Sequence, residues 1–187
     1  MPLQAIERAG RTCYKSEDKI TNESASKFYK MIYQRGHESV AEHAVASVRI
    51  ICDRGVSHEI VRHRIASYSQ ESTRYCNYSK EKFGNEIQVI EPPGMTDGER
   101  TGWRSACEYA EKMYMLLLVQ GMSPQIARSI LPTCLKTEMV MTTNFREWKH
   151  FIKLRTDPAA HPQMREVAFM IKELLAKECP EVFGDET

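Results

Sequence analysis

Arg62-His63-Arg64-Ile65-Ala66-Ser67-Tyr68-Ser69-Gln70-Glu71-Ser72-Thr73-Arg74-Tyr75 is the densest polar stretch of the chain. Arginine and histidine leave the end of an expected helix and meet a run of hydroxyl donors. The planar fork of arginine matches the oxygens of a phosphate or pyrophosphate, and hydroxyls fill the acceptors that remain. A metal is a poor fit, because the arginines would repel it. Arg-His-Arg on a helix is ordinarily a solvated face. The hydroxyls, Gln70, Arg74 and Tyr75 at close spacing turn this one toward anion binding.

Working outward, Val56 to about Ile65 reads as a short helix after the turn Asp53-Arg54-Gly55, and residues 66–80 as a loop without helical periodicity. Residues 44–52 are β-branched enough for a strand. Residues 21–35 read as a helix with Thr21 as N-cap, Phe28, Met31 and Ile32 on one face, and a left-handed stop at Gly36. Downstream, a strand is expected at 86–91, ended by Pro92-Pro93-Gly94. A long helix follows from about Asp97 to Gln120, stopped by Gly121. Ser123-Pro124 opens a helix near 124–130, and residues 134–142 read as a strand. Asn144 caps a helix through Arg155, and a last helix runs from about His161 to Lys177. No repeat or linker interrupts the pattern, so the expectation is one mixed α and β domain over 1–187.

Composition sets limits. Twenty-six basic and 25 acidic residues leave a formal charge of +1. Dedicated duplex binders usually carry a large basic excess, so anion binding here must be local. No apolar run reaches the about 20 residues that span a bilayer. The start, Met-Pro-Leu-Gln-Ala-Ile-Glu-Arg, lacks a signal peptide's apolar stretch, so the cytoplasm is the expected setting. Six cysteines, Cys13, Cys52, Cys76, Cys107, Cys134 and Cys179, form no C-x-x-C pair and read as reduced and mostly buried.

Other constellations are weaker. His58 and His63 stand five apart, whereas a zinc-protease helix needs ligands four apart on one face. His37-Glu38 and Glu42-His43 have no matching set elsewhere, so no metal is expected. Arg128 among Ile126, Ala127, Ile130 and Leu131 reads alone as a snorkelling surface residue. Asn144 reads alone as a cap and Arg155 as a favourable charge at a helix C-terminus. G-x-G-x-x-G and Walker A loops are both missing from the sequence, so the phosphates of any nucleotide cofactor must be held by side chains.

Arg62-His63-Arg64, seven residues and then Ser72 resemble the R-H-R-x7-S signature of flavin-dependent thymidylate synthases, and the likeness continues through Ser67, Arg74 and Tyr75. His37-Glu38-Ser39 resembles that family's G-H-E-[ST] turn. Ala127-Arg128 with Leu131-Pro132 resembles its A-R-x-x-L-P segment, and Asn144-x-Arg146 and Leu154-Arg155 its N-x-R and L-R positions. The motifs run in order from about Ala9 to Phe183.

The resemblance implies an α+β fold, a central sheet flanked by helices, in a homotetramer whose active sites are shared between subunits. It implies FAD held by His37, Ser39, Arg62, His63, Arg64, Gln70, Asn144, Arg146 and His150. It implies a dUMP site of Glu59, Arg62, Gln70, Ser72, Arg74, Arg128 and Arg155, with Ser72, Arg74 and Arg128 on the phosphate. Arg155 would favour ionisation of the uracil ring N–H. Methylenetetrahydrofolate would donate the carbon and NADPH would reduce the flavin, with no covalent enzyme nucleophile. Ser72 has no evident His–Asp pair in sequence to deprotonate it.

Two departures stand out. Many members carry Asn-Glu where this chain has Ser69-Gln70, which keeps a hydrogen-bonding group but adds no negative charge. The family pattern usually includes a further N-terminal piece with a strand before the stretch that matches Leu3; here it is short or absent. Two other classes compete with this reading. A nucleotide- or RNA-binding module on Arg62, Arg64 and Arg74 would show steep salt dependence. A metal-dependent hydrolase on His58 and His63 would hold stoichiometric metal.

Overall fold

The β-branched run of Val45-Ala46-Ser47-Val48-Arg49-Ile50-Ile51-Cys52-Asp53 becomes strand β1 (Val45–Asp53) in a computed structural model, which describes residues 2–184. Val48, Ile50 and Cys52 are buried, whereas Ser47, Arg49 and Ile51 face outward, as the two-residue period of a strand requires. With β2 (Ser67–Gln70) and β3 (Lys136–Asn144) it forms a sheet in the order β1-β3-β2. Ser47 Oγ and Thr142 Oγ1 lie 2.8 Å apart, and Arg49 Nε donates to Glu138 Oε2 at 3.1 Å, so β1 and β3 run antiparallel. Glu71 N–H donates to the Glu138 carbonyl at 2.8 Å at the end of β2.

The helices are α1 (Pro2–Thr12), α2 (Ser24–Gln34), α3 (Arg54–Ile60), α4 (Asp97–Val119), α5 (Pro124–Ala127), α6 (Phe145–Arg155), α7 (Pro162–Glu178) and α8 (Pro180–Phe183). Gly36 and Gly121 take the left-handed φ values of 75° and 91° that end α2 and α4. The chain divides into two compact units. One takes the described residues up to Val48, His63–Tyr68 and those from Met141 onward; the other takes Arg49–Arg62 and Ser69–Val140. In the first, α1 packs on α2 and α6 on α7, with Trp148 and Phe151 edge to face at 5.5 Å. In the second, Tyr78, Ile87, Tyr114, Ala127 and Leu135 form a buried cluster.

Four expectations from the sequence are corrected. Residues 67–70 are a strand within the stretch read as loop: the hydroxyl-rich composition lacks a β signal, and pairing with β3 decides the conformation. Residues 86–91 form only an isolated bridge, Val89 to Leu135, because Pro92 and Pro93 cannot donate to continue a ladder. Helix α3 starts at Arg54, since Asp53 caps it with Oδ1 accepting from Val56 N–H at 2.6 Å, and it ends at Ile60. The cap of α2 is Glu23, without a side-chain bond, and Thr21 Oγ1 instead accepts from Glu23 N–H at 3.4 Å. Asp53 is buried, so Asp53→Ala is expected to lower stability by about 1–2 kcal/mol, read as a shift in the urea midpoint without a change in slope.

Candidate active site

Asn144 ends β3 and starts α6, its Oδ1 accepting from Glu147 N–H at 2.9 Å. That cap sets the rotation of α6. Glu147, Phe151 and Arg155 then recur at four-residue intervals on one face, and Arg146, His150 and Lys153 on the next. His63 meets the first of these faces and is only 4% exposed. Its Nδ1 lies 3.2 Å from Glu147 Oε1, Arg155 Nε donates to its Nε2 at 3.1 Å, and its ring centre is 4.7 Å from that of Phe151. Nearby, the hydroxyl of Tyr68 donates to the His63 carbonyl at 2.5 Å, and Thr143 Oγ1 donates to the Ile65 carbonyl.

Burial holds the His63 ring below its ordinary pKa of 6.5, and the Arg155 charge adds to this; the Glu147 contacts pull the other way without reversing it. The folded protein therefore prefers the neutral ring. That preference contributes stability above pH of about 6.5, and the contribution is lost as pH falls toward the folded value. Thermal midpoints are expected to decline below pH of about 6.5. Replacing His63 with asparagine should flatten this part of the profile. A midpoint that climbs on acidification through that window would contradict the assignment.

Beside this pair lies a cleft of about 830 Å³ lined in part by Asn144, Arg146, Lys149 and His150. Tyr29 and Tyr33 stack at 5.7 Å along it, and the Lys149 ammonium sits 3.7 Å over the Tyr33 ring. The Tyr29 hydroxyl and Lys149 Nζ are buried without a hydrogen-bond partner among the described residues. Such groups are costly unless a ligand or water supplies the missing bond. Arg146 reaches the short helical turn Glu38–His43, where Nη1 meets Glu42 Oε1 at 2.6 Å and Nε meets Glu38 Oε2 at 3.7 Å. His37 and Ser39 lie exposed at the start of that turn. Donor atoms of His63, Glu147 and His150 gather within 4.8 Å, but the guanidinium of Arg155 beside them disfavours a cation.

The second unit carries another group. Gln70 Nε2 donates to Ser57 Oγ at 2.9 Å and to Thr137 Oγ1 at 3.2 Å. The Ser57 hydroxyl hydrogen is committed to the Arg54 carbonyl at 2.9 Å, which makes Ser57 an acceptor toward Gln70 and settles which end of the amide is nitrogen. The Gln70 carbonyl is thus turned away from this pair. Glu59 sits half-buried on α3. After β2, the Ser72 carbonyl accepts from Tyr75 and Cys76 N–H at 3.0 and 2.8 Å, folding a tight turn. Arg74 lies over the Tyr75 ring at 5.2 Å, and Arg128 Nη1 donates to Thr73 Oγ1 at 3.2 Å. Guanidinium and hydroxyl groups therefore meet on the Ser72–Arg74 turn, a grouping suited to phosphate.

The structure brings together His63, Asn144, Arg146, His150 and Arg155 in one unit, and Gln70, Ser72, Arg74 and Arg128 are placed in the other. Arg62-His63-Arg64 does not form a single cationic patch. Arg62 and Arg64 are exposed while His63 is buried and neutral in preference, because the chain leaves helical geometry after Ile60. Sequence reasoning missed Glu147, the Glu38 and Glu42 carboxylates on Arg146, and the tyrosine–lysine wall. Glu147 had a signal: it stands three residues after an Asn cap, where acidic side chains favour a helix N-terminus.

The family model described as thymidylate synthase complementing protein matches residues 1–181. The flavin-dependent thymidylate synthase of Mycobacterium avium is 34% identical over 200 residues, covering 96% of this chain and 78% of that protein. The flavin-dependent thymidylate synthase of Pyrococcus abyssi is 36% identical over 184 residues, covering 94% and 75%. That of Mycolicibacterium gilvum is 34% identical over 203 residues, covering 96% and 78%. Matches of this extent reach across the Asn144 helix, the buried His63 and the Ser72 turn alike, and the chain belongs to the flavin-dependent thymidylate synthase family.

Proposed function

We propose that this protein converts dUMP to dTMP with bound FAD, taking the carbon from methylenetetrahydrofolate and the reducing electrons from NADPH. The observation that carries the reading is the bond from half-buried Arg155 to buried His63, beside a cleft whose wall holds unsatisfied polar groups. The residues present suit a flavin nucleotide. Stacked tyrosines offer an aromatic wall, and among the cleft's described lining the cations Arg146, Lys149, Lys153 and Lys172 outnumber the carboxylates Glu38, Glu42 and Glu147. Asn144, Arg146, His150 and His63 would hold the cofactor, with His37, Ser39, Arg62, Arg64 and Gln70 completing the set. Bound flavin would supply, once reduced, the hydride that completes the methyl group.

The chain's own residues bind, orient and stabilise charge. Ser72, Arg74 and Arg128 take the dUMP phosphate, and Glu59, Arg62 and Gln70 line the nucleotide. Arg155 faces the pyrimidine. A guanidinium does not give up its proton, so Arg155 acts by stabilising negative charge as the ring N–H ionises, which makes the ring carbon more nucleophilic. No enzyme nucleophile is needed. Burial pushes the Cys52 and Cys134 thiols up to about 12 and Cys179 to about 11, far from the thiolate form at neutral pH. In this reading residues 1–187 act as one catalytic domain within a homotetramer whose subunits share active sites, in the cytoplasm. Among the described residues no helix is long and apolar enough to cross a membrane.

The test is dTMP formation by the purified protein. Product is expected only when dUMP, methylenetetrahydrofolate, NADPH and FAD are all present. Loss of product on omitting NADPH or folate supports the proposed co-substrates. Equal product without either one would overturn that assignment.

A further inference from the structure

We propose that Glu147 is a positioning residue for this reaction: its carboxylate fixes the ring tautomer of His63, and through that ring the orientation of Arg155. The inference rests on the reading of Arg155 as the group that stabilises charge on the pyrimidine.

Arg155 Nε carries a hydrogen and can only donate, so His63 Nε2 must be unprotonated to receive it at 3.1 Å. The ring hydrogen then sits on Nδ1, which faces Glu147 Oε1 at 3.2 Å, and an ionised carboxylate only accepts. The two neighbours impose one tautomer from opposite sides of the ring. Glu147 is itself held. It is the third residue of α6, its N–H is tied to Asn144 Oδ1 at 2.9 Å, and the positive end of the helix favours an anion there. His63 is 4% exposed, so water is a poor substitute for that carboxylate. Without Glu147, the Nδ1–H is buried with no acceptor. Only the bond from Arg155 then holds the ring, which turns to find another partner for Nδ1–H and carries Nε2 away from Arg155 Nε.

Glu147→Gln and Glu147→Ala separate this role from a merely structural one. The glutamine Oε1 can still accept from Nδ1–H, whereas alanine offers no acceptor. Full-length protein carrying ¹⁵N-labelled histidine reports the tautomer by NMR, and steady-state kinetics report kcat and the KM for dUMP. Wild type and Glu147→Gln are expected to show the Nδ1–H tautomer, with kcat of the variant within about threefold of wild type. Glu147→Ala is expected to lose the single Nδ1–H signature of His63, with both tautomers populated as the ring leaves Arg155, and kcat about tenfold lower or more. Retention of Nδ1–H and of wild-type kcat in Glu147→Ala would overturn the proposal, as would a Glu147→Gln enzyme as slow as Glu147→Ala. Ring signals are read without turnover. An inactive wild type would therefore show that the enzymatic reading failed, separately from whether Glu147 fixes the ring.

Discussion

Replacing Arg155 with alanine is expected to lower kcat for dTMP formation by about 10²- to 10³-fold, the size of loss seen when one preorganised charge-stabilising donor is removed. The guanidinium is held at the end of α6 by its Nε–His63 Nε2 bond, so its position is set before substrate arrives. Preorganisation of this kind stabilises developing charge without reorganisation during the reaction. Arg155→Lys keeps the charge but lacks the planar fork, and it is expected to recover only part of the rate. Rapid-quench measurement of dTMP in a single turnover separates the chemical step from product release. Unchanged single-turnover rates in Arg155→Ala would remove Arg155 from the chemistry.

A second large effect is expected from Trp148→Ala. Trp148 is 0% exposed, packs edge to face on Phe151 at 5.5 Å and donates Nε1–H to the Ala46 carbonyl at 3.1 Å. It ties α6 to the start of β1 within one unit. Truncating a buried tryptophan costs about 3–5 kcal/mol, a large share of the about 5–15 kcal/mol that separates folded from unfolded domains. The expected result is a urea midpoint lowered accordingly, with flavin retention lost, because Arg146, His150 and Arg155 all ride on α6. Trp148→Phe keeps ring packing but loses the Nε1–H bond to the Ala46 carbonyl, and is expected to cost about 0.5–1.5 kcal/mol. A Trp148→Ala midpoint within experimental error of wild type would mean that α6 is anchored elsewhere.

What the sequence made legible follows from how local each signal is. Asn144 announces the start of α6 because a cap acts within three residues, and the structure shows its Oδ1 on Glu147 N–H. Helix α4 was equally open to reading. Gly121 ends it, and at its start Thr96 and Glu99 satisfy each other's backbone N–H groups. Helix α1 was not anticipated. Gly10 weakens helix propensity near its end, and its presence answers a tertiary need: a Cβ there would meet the Phe28 ring at 2.6 Å. Strand β2 escaped notice for the same reason, since four polar residues become a strand only through a partner far along the chain.

The site divides along the same line. Arg155, Asn144 and Ser72 are proposed from ordered motifs, which record spacing along the chain. The partnership of Glu147 with His63 joins residues distant in sequence, and no local pattern announces it. Nor does sequence separate the buried His63 from the exposed Arg62 and Arg64 on either side, because that depends on where helical geometry stops after Ile60.

The most direct test of the central claim is the visible absorbance spectrum of the purified full-length protein, incubated with FAD and recorded before and after addition of dUMP. Flavin bands that remain with the protein after desalting, and that shift when dUMP is added, are the result expected if this chain assembles a flavin site and a pyrimidine nucleotide site that sense each other. Protein that stays colourless after incubation with FAD, or whose flavin bands ignore saturating dUMP, would contradict the account.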